Sequence, residues 1–257
     1  MKHVNPPDYS VRTADMVIDI LENIIASESM QISVTQLCFT LGISRNKAYR
    51  LLATLEKRGI IEKDERSGNY QVGVSAVGLS QKILCSANLI RHSHPVIKDL
   101  AEKHDEAVYM TVLKNDEVLF LDMADCDQVV KAEVLIGRSF PFFSIAAGKV
   151  IKALETGEVG LICKQLKKRK SNCDFNSLEN ELADIRNKGV AVDCNGLGDG
   201  VISVAVAVKD YAGKIVGAIT MLGPSFRMLS ERLENEIIPS LLEGAEMLSM
   251  KFGYSKL

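Results

Sequence analysis

The stretch from Ser33 to Gly73 leaves the chain few choices of fold. Ser33 is placed to cap a short helix whose Val34, Leu37, Cys38 and Leu41 share one face. Gly42 supplies a turn, and Ser44 caps a third helix running to about Arg58. Two short helices joined by a glycine turn make a helix-turn-helix. Ahead of it, Ser10 is placed to cap a first helix with Ala14, Val17, Ile18, Leu21, Ile24 and Ile25 at helical spacing. Behind it, Gly59 closes the third helix, and IIEKDERSGNYQVG reads as strand, polar turn around Ser67-Gly68-Asn69, and strand. A hairpin in that place is the wing of a winged helix-turn-helix.

At about 100° per residue, Ala48, Leu51, Leu52 and Leu55 line one side of the third helix. Arg45, Asn46, Tyr49, Arg50 and Ala53 lie on the other, flanked by Lys47 and Thr54. Arginine pairs with guanine edges and asparagine with adenine edges, while lysine and tyrosine suit phosphates. The competing reading is an ordinary solvated face. Local charge argues against it. The whole chain carries a net charge of only −2, yet Ile43 to Arg58 holds five basic residues and one acidic one. The candidate DNA contacts are therefore Ser44, Arg45, Asn46, Lys47, Tyr49 and Arg50, with Lys63 and Arg66 on the wing. Glu62, Asp64 and Glu65 would oppose a phosphate backbone and are expected to face away.

At 257 residues, 47% hydrophobic and 25% charged, the chain has room for two globular domains. Without Trp, its cores must rest on Leu, Ile, Val and Ala. It shows neither a membrane-length apolar run nor the apolar core of a signal peptide. Six cysteines without a CxxC pair read as reduced thiols in a cytoplasmic protein. The division expected is a DNA-binding domain over 1–73, a linker helix over 74–94 and a second domain over 95–257. Helix is expected from Val74 to about Ile90. His92 and His94 raise the question of a metal, but no carboxylate or thiolate set accompanies them, so neither metal nor cofactor is expected.

Beyond Pro95, helix is expected from Ile97 to His104, Ser144 to Leu154 and Ser177 to Lys188. Strands are expected over Ala107–Leu113, Glu117–Met123, Val129–Ile136, Val190–Asp193, Val201–Val208 and Ile215–Leu222. A last helix through Leu233, Ile237, Leu241, Ala245 and Leu248 must be kinked or interrupted by Pro239. Hairpin-linked strands with helices set apart make an α+β domain with a largely antiparallel sheet.

With these pieces in place the chain resembles the IclR family from about Val11 to Met250. The resemblance rests on ISVTQLCFTLGISRNKAYRLLATLEKRGIIEKDERSGNYQVG, then GRSFPFFSIAAGKVIKAL, RNKGVAVD and VISVAVAVKDYAGKIVGAITMLGPSFRM, in that order. It implies a transcription regulator that binds a double-stranded DNA operator as a homodimer or homotetramer. It also implies a GAF/PAS-like effector-binding domain for an organic, aromatic or sugar-derived acid, and control of a catabolic operon. Carried over by residue, the effector site is Ala146, Ala147, Asp193, Ser203, Thr220 and Leu222. The residue chemistry agrees in part. Free amides at a helix start favour a carboxylate, Ser203 and Thr220 can donate, and Asp193 would accept from a hydroxyl but repel an acid. Leu222, where some members carry a hydroxyl, and Phe143, in the run Phe140, Phe142, Phe143, point to a smaller or more apolar pocket.

Two other readings stand beside this one. Cys194 next to Asp193, with His104 elsewhere, would have to assemble a thiol nucleophile and base, and no spacing supports it; AAGK lacks the phosphate-loop pattern. Alternatively, the second domain serves assembly only, its pocket filled by Phe142, Phe143, Met221 and Leu222.

Overall fold

The computed structural model describes residues 11–86, 88–155, 175–194 and 196–255. The chain divides into two compact units, Met1–Ser86 and Ala87–Leu257.

In the smaller unit, α1 (Arg12–Ala26), α2 (Val34–Leu41) and α3 (Arg45–Lys57) surround a core of Ile20, Ile24, Leu37, Ala48, Leu52, Leu55, Ile61 and Tyr70. Ser33 caps α2 by accepting from the Gln36 amide (3.2 Å). Gly42 ends α2 at φ 60°, a left-handed conformation that costs glycine nothing. The hairpin of β2 (Ile61–Lys63) and β3 (Tyr70–Val72) forms as expected, and β1 (Gln31–Ile32) joins it in the order β1-β3-β2. That third strand is two residues long, too short to leave a periodic signal. α4 (Val74–Ser86) follows the wing.

Two expectations for α1 need correction. Ser10 lies outside the described residues, and Val11 occupies the cap position, where it offers no side-chain acceptor. The buried line is Ile20 and Ile24, with Val17 and Leu21 partly covered; Ile18 and Ile25 are 56% and 57% exposed. Apolar residues fill more than half the helix circumference here, so spacing alone does not pick the inward face.

In the larger unit, six strands form one antiparallel sheet ordered β6-β5-β4-β9-β8-β7. They are β4 (Ala107–Lys114), β5 (Glu117–Ala124), β6 (Ser139–Pro141), β7 (Val190–Cys194), β8 (Val201–Lys209) and β9 (Ile215–Pro224). Alternation along the strands sends Val108, Met110, Val204, Val206, Ile219 and Met221 to one face, against α5 (Asn88–His104) and α8 (Ile238–Lys251). Tyr109, Ala205, Ala218 and Leu222 go to the other, against α6 (Ala146–Glu155) and α7 (Phe175–Lys188).

Two local expectations change. Helix covers Val74–Ser86 as expected and Asn88–His104 beyond it, so that His92, His94 and Pro95 lie inside α5. The Val129–Ile136 strand does not exist; Val129 is 99% exposed, and β6 pairs with β5 instead through Val118↔Phe140. β-branched residues without an alternating buried face do not make a strand. Near Pro239 regular α-helix is interrupted, as expected: a π-helical turn, Leu233–Ile237, precedes α8, and Pro239 stands in the first turn of α8, where its missing donor is tolerated.

Candidate functional site

α3 is held from below by Ala48, Leu51, Leu52 and Leu55, each at most 7% exposed, as its periodicity requires. Ser44 caps it, accepting from the Lys47 amide (3.4 Å). On its outer side Arg45, Asn46, Tyr49 and Arg50 are exposed and Lys47 is half-buried. The Arg45 guanidinium lies over the Tyr49 ring, 5.8 Å from its centroid, which restrains both side chains one turn into the helix. Among the described residues, Lys47 and Arg50 meet no carboxylate.

On the wing, Lys63 and Arg66 are exposed. Asp64 is turned into the hairpin, accepting from the Ser67 hydroxyl (2.6 Å) and from the Arg66 and Ser67 amides (3.1 and 3.3 Å). The Ser67 hydroxyl, with the Arg66 amide, holds its carboxyl below the ordinary value. Glu62 accepts from Gln71 Nε2 (2.7 Å), and Glu65 stands exposed near the tip. Two of the three acids are thus spent on the wing's own geometry.

In the larger unit the six residues named for an effector converge on one face. Asp193, Ser203, Leu222 and Ala107 stand opposite one another across β7, β8, β9 and β4, with Thr220 and Tyr109 in the adjoining row. Ala146 and Ala147 begin α6 above them. All six are buried.

Their chemistry differs from the sequence reading in three respects. Asp193 is not free: it accepts from Lys149 Nζ (2.5 Å) and from the Gly196 amide (2.9 Å), and Lys149 also reaches Glu181 (2.9 Å). Burial alone would depress the Lys149 ammonium; its hydrogen bonds to Asp193 and Glu181 outweigh that and raise its pKa above 10.5. Its charge reduces the repulsion that Asp193 would exert on an acid, although Glu181 shares the same ammonium. Thr220 is also engaged. Thr111 gives its only hydroxyl proton to the Ala218 carbonyl (3.0 Å), so Thr220 must donate in the Thr111–Thr220 pair (3.3 Å). Ser203 alone of these keeps an unspent hydroxyl, buried and without a partner among the described residues. Finally, Ala146 and Ala147 are fully enclosed. A Cβ on Gly196 would lie 1.9 Å from the Ser144 carbonyl and 2.2 Å from Asp193, so only glycine lets this loop pass so close.

A cavity of about 130 Å³ opens beside this face, walled by Glu133, Leu135, Arg138, Phe140, Leu197 and Leu222 among others, with Arg138 donating to Glu133 (2.9 Å). Leu222 contributes to it as expected; Phe143 does not, packing instead edge-on against Phe142. Lys149 and Arg138 were missed from sequence. Lys149 carried a signal, a lone charge on the otherwise apolar inner side of α6.

The remaining candidates separate. His94 pairs with Asp122 (2.9 Å) and His92 meets the Phe252 ring edge-on. No group of three or more His, Cys, Asp or Glu among the described residues is placed to hold a metal. Cys194 is exposed while its neighbour Asp193 is buried beneath Lys149. Cys163 and Cys173 lie outside the described residues. Arg227, the arginine of GPSFR, clamps the buried Glu106 with two bonds (2.7 and 2.8 Å), and Arg232 adds a third (3.0 Å). That motif residue therefore ties the end of the sheet to the last helix.

Comparison with known proteins agrees in both units. Residues 13–65 match the IclR helix-turn-helix domain, and residues 81–250 match the bacterial transcriptional regulator IclR C-terminal domain. The chain is 26% identical over 253 residues to the HTH-type transcriptional regulator KdgR of Escherichia coli, covering 96% of this chain and 95% of that protein. It is 24% identical to the transcriptional repressor IclR of the same organism, covering 89% and 86%. An IclR transcriptional regulator from Alicyclobacillus acidocaldarius shares the fold, with a TM-score of 0.83 at 22% identity over 94% of this chain and 99% of that one.

Proposed function

Because the chain belongs to the IclR family of DNA-binding transcription regulators rather than to any family of enzymes, we propose that it is a cytoplasmic regulator whose operator affinity is set by a small acidic effector. The buried, unpartnered Ser203 hydroxyl carries this reading. A hydroxyl left unsatisfied in a core costs about 1–3 kcal/mol, and a ligand acceptor would recover it. The neighbouring cavity is small, with Arg138 as its one cation, and Glu133 on the same wall holds that guanidinium (2.9 Å) until an acid competes for it. Its volume favours a compact organic or aromatic acid over a larger, polyhydroxylated sugar acid.

DNA is read by Arg45, Asn46 and Arg50 in the major groove, with Ser44, Lys47, Tyr49, Lys63 and Arg66 on phosphates. Paired units, in a homodimer or homotetramer, address two half-sites of a catabolic operon. The effector shifts the balance between two arrangements of those pairs, a coupling of about 1–3 kcal/mol.

A second reading draws on the satisfied Asp193 and Thr220 and on the cavity's small volume: the larger unit serves assembly only. Thermal stability across a panel of small aliphatic, aromatic and sugar acids separates the two. A ligand at 100 times its Kd adds about 2.7 kcal/mol and raises the midpoint. Ser203→Ala should then abolish the rise without weakening ligand-free DNA binding. A flat panel with intact DNA binding favours the assembly reading.

A further inference from the structure

A groove of about 490 Å³ runs along the smaller unit between the first turn of α1 and the flank of α3. Thr13, Ser44, Asn46, Lys47, Arg50 and Thr54 line it. Two are cations, the rest carry hydroxyls or an amide, and no carboxylate lines it. Thr13 is one helical turn before Val17, so it continues the inward line of α1 past the edge of the core, toward α3. Asp15, the acid of that turn, is rotated about 200° from Thr13 and points away. The Thr54 hydroxyl is spent on the Arg50 carbonyl (2.8 Å), whereas Ser44 only accepts from the Lys47 amide and keeps its proton. Among the described residues, the side chains of Thr13, Asn46, Lys47 and Arg50 have no hydrogen-bond or ion-pair partner.

We propose that this groove seats the sugar–phosphate backbone of DNA, with Lys47 neutralising a phosphate and the Thr13 hydroxyl donating to it from the opposite wall. This rests on the assignment of α3 as the DNA-reading helix and adds α1 to the interface. Thr13 becomes a residue that positions α3 in register on the duplex while reading no base. An acid-free groove with two cations and unspent donors at Thr13, Ser44 and Asn46 matches a polyanion, and its place beside the outer face of α3 matches the strand bordering the groove that α3 enters.

The test uses the full chain and two duplexes of about 30 bp, long enough for two half-sites. One is selected by the wild-type protein from a randomised pool, and the other has unrelated sequence. Thr13→Glu should weaken binding to both by about tenfold or more, leaving their affinity ratio unchanged. Thr13→Arg should tighten both and steepen the salt dependence by about 0.9 in log–log slope. A carboxylate in the first turn of α1 favours the helix, so an unchanged or raised melting midpoint in Thr13→Glu excludes unfolding as the cause. If both variants bind like wild type while Arg50→Ala is weakened, the groove is not a phosphate track and α3 remains the reading helix. If wild-type protein binds neither the pool nor the unrelated duplex, the parent assignment falls with it.

Discussion

Lys149→Met tests whether the Lys149–Asp193 pair is a structural strut beneath the proposed effector site. Both side chains are about nine-tenths buried, with the ammonium 2.5 Å from Asp193 and 2.9 Å from Glu181. Removing the lysine leaves the Asp193 carboxylate buried with only the Gly196 amide. Breaking a buried pair in this way costs about 3–5 kcal/mol. Spread over a domain of this size, that is a fall of about 6–20 °C in Tm. Glu181, whose side chain is 35% exposed, keeps access to water, so Glu181→Gln should cost under about 1 kcal/mol. Replacing both buried charges, Lys149→Met with Asp193→Leu, should regain most of the loss, because neither desolvated charge remains. Urea denaturation followed by circular dichroism gives these values, and hydrogen exchange at β7 and β8 amides places the effect in the larger unit. A Lys149→Met protein within about 1 kcal/mol of wild type would refute the reasoning, as would a double variant no more stable than the single one.

Two further outcomes follow from the geometry. Arg45→Ala and Arg50→Ala should each cost about 1–3 kcal/mol in DNA affinity, concentrated at particular operator positions; unchanged binding in both removes α3 as the reading helix. His104 is buried with Nε2 unpartnered among the described residues, and burial, with Lys103 and Arg232, pushes its pKa below 6.5 against the opposing pull of Glu236. A depressed histidine contributes stability that is present above about pH 6.5 and lost as pH falls through the folded value. The urea midpoint should therefore drop on acidification below that point and do so less steeply in His104→Leu; an identical pH dependence in the variant would contradict this.

The helix-turn-helix was legible because its signals are local. Caps at Ser33 and Ser44, the αL glycine at Gly42 and the Ala48–Leu51–Leu52–Leu55 stripe each depend on neighbours within a turn of chain. Most strands of the larger unit were legible for the same reason, since alternation along a strand records which face is buried. The false strand over Val129–Ile136 arose where apolar residues were abundant but unpatterned, and the face of α1 was misjudged because its apolar residues cover more than half the circumference.

What the sequence alone determined, then, is the kind and order of most elements and, through the family resemblance, six positions that gather about one face of the sheet. It could not determine what those positions have left to offer. Thr220 loses its proton to Thr111, across a strand pairing that joins residues 109 apart in sequence. Asp193 is claimed by Lys149 from a helix 44 residues earlier, and Ser203 is left over because no such partner among the described residues reaches it. Hydrogen-bond capacity is a count of protons and lone pairs within reach. Reach, between residues so far apart along the chain, is set only when the sheet and helices close on each other.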